Sequence, residues 1–329
     1  MSLSAAGIRR IAVTLQAAAA LGIATALVRM AGWPWAGAIA AGVAAIFGGL
    51  ALGIALAFAL TDRGLWIGRG NYPPDPPAEL AATRRRLTLT DALRCYLYEC
   101  GAVLRMFDWL QPFRAHAPFA APADTPPGRD APPVLLVHGY ACGHAIWLDM
   151  QPALAAAGYR CEAIDLEPVF GDIDDYAHAL LAAMRRISAD TGRAPLLVCH
   201  SMGGLAARAA LKLAGDDEGR DICAGVVTLG SPHHGSALAR FGGGDNARQM
   251  RCGSPWLRAL AAAESPRLRA RMISVFSWHD SIAGPPCTGW LDGSAHIALS
   301  GIGHVSLLRH PAAVRAVLDA LGELSSRGR

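Results

Sequence analysis

The sequence predicts an α/β domain, a mostly parallel sheet with helices on both faces, preceded by two transmembrane helices. Three observations carry that prediction. Two long uncharged runs, Ile11–Val28 and Met30–Thr61, fill most of the first sixty residues. From Pro133 onward, short Leu- and Val-rich runs alternate with longer stretches of helical period, as strands joined by crossover helices do. One of the short runs ends in Cys199-His200-Ser201-Met202-Gly203-Gly204 and passes directly into a helical stretch, which sets a serine at a sharp strand-to-helix turn.

Composition agrees with a chain divided in this way. Of 329 residues, 53% are hydrophobic and only 17% charged, against roughly a quarter charged in ordinary soluble proteins. The excess sits in the uncharged runs, so the part that meets lipid is residues 1–64, a membrane anchor with helices at about 9–29 and 36–60. A hydrocarbon layer ~30 Å thick needs about 20 apolar helical residues, and both runs reach or approach that length. Trp33, Pro34 and Trp35 between them suit an interface, and Gly49 and Gly53 form a small-xxx-small step for close helix approach. A cleaved signal peptide over residues 1–28 is the alternative for the first run, with Arg9 and Arg10 as its basic start. The second run would still anchor the chain. Thirty basic against 26 acidic residues give a net charge of +4 with no polybasic tail, which argues against a nucleic-acid partner. Lys212 is the sole lysine, and with the alanine excess it points to a GC-rich bacterial genome and so to the inner membrane.

Residues 65–130 read as a linker. NYPPDPP at 71–77 is extended because each proline removes a donor and biases its predecessor away from helix. An amphipathic helix is expected near 88–110, capped by Thr90 or Asp91, lying on the bilayer or packed on the following domain. A proline-rich stretch from Pro118 to Pro133 then leads into the catalytic domain, 131–329. Strands are expected at 134–138, 160–165, 195–199, 222–229, 272–277 and 296–299, and helices at 146–157, 174–190, 202–213, 255–270 and 311–323. Ligands of open parallel sheets bind beyond the carboxyl ends of strands, so the chemistry is sought where these runs stop.

Ser201 stands at such an end, in the arrangement of a nucleophile elbow, with Cys199 where a first glycine is usual. A serine hydroxyl needs a base, and the base needs an orienting carboxylate. With the chain order serine, acid, histidine, Asp280 after MISVFS is the acid and His304 after HIALSG the base. Asp292 is the rival acid, and His310 and His279 are the rival bases. The backbone N–H groups of Met202 and Tyr140 are the oxyanion donors, and Gly139 permits the tight path of the loop after the first strand.

The segments VLLVHGY, HSMGG, TLGSPHHG at 228–235, the stretch around Asp280 and GIGHVSLL together resemble bacterial lipases and esterases of the α/β-hydrolase superfamily, from about Pro133 to the C-terminus. That resemblance implies the α/β-hydrolase fold and active-site support from His138, Gly139, His200, Gly203 and His233. It also implies a lid or acyl-binding wall over residues 236–270, and a disulfide between Cys252 and Cys287 bracing the loop of the acid. Such a disulfide would put the domain outside the cytoplasm, whereas Arg9, Arg10, Arg63, Arg69 and Arg84–Arg86 favour both chain ends inside. No cofactor and no metal are expected, since no carboxylate cluster has ligand spacing. The expected activity is hydrolysis of carboxylic esters of lipids or acyl chains through an acyl-enzyme, with the bilayer and a lipid or ester substrate as partners. Acyl transfer, thioester or amide cleavage would use the same three residues. A membrane-anchored binding module with an inactive hydrolase fold is the non-enzymatic alternative.

Overall fold

The computed structural model describes residues 3–62, 75–120 and 131–327. Arg63 and Arg69, the first part of NYPPDPP and most of the second proline-rich stretch lie outside the described residues. Helix α1 runs Ala5–Ala31, capped by the Ser4 hydroxyl and closed by Gly32 in the left-handed conformation, and α2 runs Trp35–Asp62. Both are long and apolar enough to cross a membrane. At 1.5 Å per residue they extend to about 40 Å, more than the hydrocarbon layer requires. They pair closely at Gly42, where a Cβ would overlap the Ala20 carbonyl. The expected close approach at Gly49 and Gly53 is corrected: nothing lies within 4 Å of the Cβ positions of either residue. A small-xxx-small step does not say which way a helix is turned, and the face that meets α1 is the one carrying Gly42.

After a helical turn, α3 (Ala78–Ala81), comes α4 (Leu89–Val103), opened by Thr88 rather than by the Thr90 or Asp91 expected, with the Thr88 hydroxyl accepting from Asp91 N at 3.1 Å. It continues through a widened π turn, Leu104–Leu110, into α5 (Gln111–Phe113). Its apolar recurrence serves packing: Cys95, Glu99 and Ala102 are buried, while Leu89, Leu93 and Leu97 form an exposed stripe. Tyr96 Oη donates to the Ala51 carbonyl at 2.8 Å, bonding α4 to α2.

Among the described residues the sheet has six strands, all parallel, in the order β2-β1-β3-β4-β5-β6. They are β1 (Val134–Val137), β2 (Cys161–Ile164), β3 (Leu196–His200), β4 (Gly225–Leu229), β5 (Met272–Ser277) and β6 (Ala295–Leu299). The central strands are buried on both faces, which is why they read as unbroken apolar runs. Alternate side chains enter two cores: Leu135, Val137, Leu197 and Val226 face one, and Val134, Leu136, Val198 and Val227 face the other. Helices α7 (Ile173–Thr191) and α8 (Met202–Ile222) cover the first core, and α6 (Gln151–Ala156) and α12 (Pro311–Arg327) the second.

Four helix or strand boundaries differ from expectation for local reasons. The stretch 146–157 begins as a 3-10 turn, His144–Asp149, before Pro152 opens α6. Helix α8 runs on to Ile222, so β4 starts at Gly225 rather than at 222, and Gly215 at φ 73° interrupts it. The helix expected over 255–270 is split into α10 (Pro255–Ala263) and α11 (Pro266–Arg269), because Glu264 leaves helical geometry to meet Arg208 and Ser265 caps a new start. Before them the segment folds as a 3-10 turn, Ala237–Phe241, and α9 (Gly244–Gln249).

Candidate active site

Strand β3 ends on His200 and α8 begins on Met202, which leaves Ser201 alone to make the turn at φ 55°, ψ −125°. A positive φ costs a residue with a Cβ on the order of 1–3 kcal/mol and persists only where the surroundings impose it. Here they do. Ser201 N donates to the Leu229 carbonyl at 2.9 Å, and a Cβ on Gly203 would meet the Val137 carbonyl oxygen at 2.5 Å. A Cβ on Gly204 would overlap Ser231 and one on Gly139 would lie 2.8 Å from Ser201 Cβ, so the glycines are required by close approach. Cys199, where glycine is usual, points into the core beneath α8, and burial pushes its thiol well up.

Beyond β5, Asp280 is 3% exposed. Its Oδ1 accepts from Ile282 N at 2.8 Å and Ala283 N at 2.6 Å, and its Oδ2 receives His304 Nδ1 at 2.8 Å. Burial lowers the proton affinity of His304, but the charge of Asp280, its hydrogen bond and the charge of Glu99 outweigh it, and the imidazole is held above its ordinary range. With Nδ1–H bonded to the carboxylate, Nε2 is the atom left to act as base. The structure thus brings Asp280 and His304 together; Ser201 directly follows His200, whose ring lies 4.7 Å from that of His304. Among the described residues, the His304 imidazole is hydrogen-bonded to Asp280 and not to Ser201 Oγ.

The rivals are placed elsewhere. Asp292 has a side chain 78% exposed and faces Arg269. His310 Nδ1 accepts from Ala312 N, and His279 Nδ1 from Gly301 N. Among the described residues, neither the Tyr140 nor the Met202 backbone N–H donates to a protein acceptor. His138 is fixed as well: Nε2 accepts from Leu166 N at 2.9 Å, so Nδ1–H donates to the Gly139 carbonyl and braces the loop before Tyr140. His200 Nε2 lies 3.2 Å from the His304 carbonyl, a contact that makes it the donor. His233 is buried on Thr228 Oγ1 at 3.0 Å and below Arg208, away from the Asp280–His304 pair; burial and that guanidinium hold its proton affinity far down.

Tyr140 also reaches across the site. Its hydroxyl donates to the Gly243 carbonyl at 2.9 Å and accepts from Gly243 N at 3.0 Å, joining the loop after β1 to the 236–270 segment. Cys252 and Cys287 are both free thiols, so the disulfide implied by the resemblance is not present here. The two lie close enough to interact: burial, and next the charge of Cys287, push the Cys252 thiol up to about 12. Among the described residues no group of His, Cys, Asp and Glu is arranged to hold a metal ion.

One participant escaped sequence reading. Glu99, fully buried on α4, accepts hydrogen bonds from Ser281, Val305 and Ser306, the neighbours of Asp280 and His304. A lone acidic residue on the apolar face of an amphipathic helix was its signal.

A family model described as "Alpha/beta hydrolase family" matches residues 134–326. A triacylglycerol lipase of Burkholderia plantarii is 32% identical over 136 residues, 39% of this chain and 36% of that protein. One from Pseudarthrobacter phenanthrenivorans is 31% identical over 118 residues, 33% and 35% of the two chains. The match therefore spans about a third of the length of these curated relatives. Among solved structures, the mature lipase BlEst2 of Bacillus licheniformis superposes with a TM-score of 0.53 at 20% identity, covering 62% of this chain and 95% of that one. Lipase B of Aspergillus fumigatus gives 0.51 at 19%, covering 63% and 57%. At these identities the structures establish the fold, and the family match, which takes in more than half of the residues, establishes the lineage: the chain belongs to the alpha/beta hydrolase family.

Proposed function

We propose that the protein is a membrane-anchored serine hydrolase that cleaves carboxylic esters of lipids or acyl chains through an acyl-enzyme. One observation carries the reading: a serine forced into a strained elbow directly follows His200, whose ring packs on the His304 imidazole of a buried Asp280–His304 pair. In the first half-reaction Ser201 Oγ forms a bond to the ester carbonyl carbon while His304 Nε2 takes its proton. Asp280 holds the imidazole and stabilises the imidazolium that results. The backbone N–H groups of Tyr140 and Met202 donate to the oxyanion, each worth about 3–4 kcal/mol of barrier. His304 then returns the proton to the departing alkoxide as the C–O bond breaks. A water molecule, deprotonated by His304, then bonds to the acyl carbon, and His304 passes that proton to Ser201 Oγ as the acyl C–Oγ bond breaks and the acid leaves.

Lipid substrates are supported by the named activity of the curated relatives and by the surroundings of the site. Phe170, Phe241 and Ile282 expose apolar surface beside Tyr140 and Asp280. The chain ends of both long helices touch the loops that frame it: Ala5 packs on Gly143, just past the Tyr140 loop, and Thr61 packs on Gly284, just past Asp280. If α1 and α2 cross the bilayer, the mouth of the site lies against the membrane surface, and an acyl chain enters from the lipid. A fluorophosphonate probe tests the reading. It should label the wild type and not Ser201→Ala, and p-nitrophenyl esters should be hydrolysed by the same protein. A folded wild type that is neither labelled nor active would leave an inactive binding module. Sedimentation of activity with washed membranes, and its loss on deletion of residues 1–64, tests the anchor.

A further inference from the structure

Helix α4 precedes the region matched by the family model, yet it sends one carboxylate into the rim of the site. Glu99 Oε1 accepts from Ser281 Oγ at 2.6 Å and from Val305 N at 3.0 Å, and Oε2 accepts from Ser306 N at 2.8 Å and Ser306 Oγ at 2.5 Å. Two of these donors are backbone N–H groups, which cannot accept. Ser281 Oγ accepts from His304 N at 3.3 Å, so its hydrogen points to Glu99. The four lone-pair positions of a carboxylate are thus filled by donors. Gly303 allows the approach, since a Cβ there would overlap the Glu99 carboxyl group.

Ser281 follows Asp280, and Val305 follows His304. One oxygen therefore grips the acid-bearing loop and the base-bearing loop together, each one residue from its functional side chain. We propose that Glu99 is a positioning residue that locks the Asp280 loop to the His304 loop and sets the angle at which the imidazole meets Ser201. This rests on the triad reading above. Misplacement of a reacting group by about 1 Å costs on the order of 100-fold in rate, so the clamp bears on turnover as well as on folding. The charged and titratable groups that face His304 are Asp280 on its loop, Glu99 on α4, and the His200 ring at 4.7 Å with His138 behind it. Cys95, also on α4, lies near Glu99 and Asp280, with its thiol pushed up to about 12 by burial.

The test uses the full chain in detergent, with p-nitrophenyl butyrate turnover followed against pH, the rate of fluorophosphonate labelling of Ser201, and thermal unfolding. Glu99→Gln keeps the shape but turns an amide NH2 toward groups that donate. The expected result is a kcat lower by about 100-fold with KM little changed and labelling slowed in parallel. The acidic limb of the profile should also move to lower pH, because a negative charge that raises His304 has been removed. If Glu99→Gln does not fold, Ser281→Ala combined with Ser306→Ala leaves Glu99 and its two backbone bonds, and kcat should drop about tenfold, a smaller displacement than the roughly 100-fold expected of Glu99→Gln. A folded Glu99→Gln with wild-type turnover and an unmoved acidic limb overturns the proposal, even if its unfolding temperature falls. Normal turnover in the double variant overturns it too. In both cases Ser201 still labels and the triad reading stands. A wild type that neither labels nor turns over removes that reading and this proposal with it.

Discussion

Glu99 and Glu264 both carry side chains sealed from solvent, on helices or helix ends that flank opposite faces of the sheet, yet their charges are compensated in different ways. Glu264 meets full positive charges: Arg208 Nε and Nη2 at 2.6 and 2.7 Å, and Arg269 Nε at 3.1 Å. Arg208 in turn donates to the His233 carbonyl and holds the TLGSPHHG segment in place. Among the described residues Glu99 meets neutral donors, and they belong to the loops of Asp280 and His304. A guanidinium partner satisfies a carboxylate wherever the pair sits, so the first arrangement serves architecture. Neutral donors must be arranged one by one, and the carboxylate then dictates where their backbone lies. The second arrangement serves geometry at the site.

That division is sharpened most by removing the nucleophile, which touches neither clamp. Ser201→Ala should lower kcat by about 10⁶-fold with no loss in unfolding temperature, as expected when one member of a cooperating triad is deleted. Asp280→Asn should cost about 10⁴-fold, because the amide no longer fixes the imidazole in the productive tautomer. Its pH profile is equally informative. In the wild type, Asp280 and Glu99 hold His304 above its ordinary value of about 6.5, so activity is lost as pH falls through that raised value and the base becomes protonated. With Asp280 neutralised, the acidic limb of the residual activity should shift to lower pH. Glu264→Gln goes the other way. It strands a buried guanidinium, which costs about 3–5 kcal/mol of stability, read by thermal or denaturant unfolding. Turnover per folded molecule should stay close to wild type. A large loss of kcat in folded Glu264→Gln would break the contrast between the two carboxylates.

Much of this was legible along the chain because the physical demands were local. Strands buried on both faces must be apolar without alternation, as VLLV, LLVCH and GVVTL are. A serine at a strand-to-helix turn needs neighbours without side chains, hence Gly203 and Gly204. Asp280 just past MISVFS and His304 just past HIALSG were picked out by their positions beyond strand ends and by the chain order serine, acid, histidine. What could not be read depends on partners far away in sequence. Its place on an apolar helix face marks Glu99 as unusual, but its partners lie some two hundred positions later, and nothing near it names them. The helix break itself is signalled locally by Ser265-Pro266, a cap and first-turn proline, but the burial of the Glu264 carboxylate against Arg208 on another helix is not. Gly42 rather than Gly49 or Gly53 meets the neighbouring helix because rotation about the helix axis is set by packing, not spacing.

The smallest effect is expected at Tyr140, where a backbone role and a side-chain role separate. Its N–H is the proposed oxyanion donor, while its hydroxyl only ties the loop to Gly243, with Phe170 5.5 Å from the ring. Tyr140→Phe keeps the N–H and the ring and removes both hydroxyl bonds, each worth about 1 kcal/mol and less where solvent competes. Turnover of a short ester such as p-nitrophenyl butyrate should therefore be unchanged. Loosening should be confined to the covering segment, seen as faster amide hydrogen exchange over residues 237–249 and a modest rise in KM for long acyl chains. If kcat instead falls as far as in Asp280→Asn, the phenol itself takes part in binding the oxyanion. The 236–270 segment would then belong with Glu99, among the parts that set the site, rather than with Glu264.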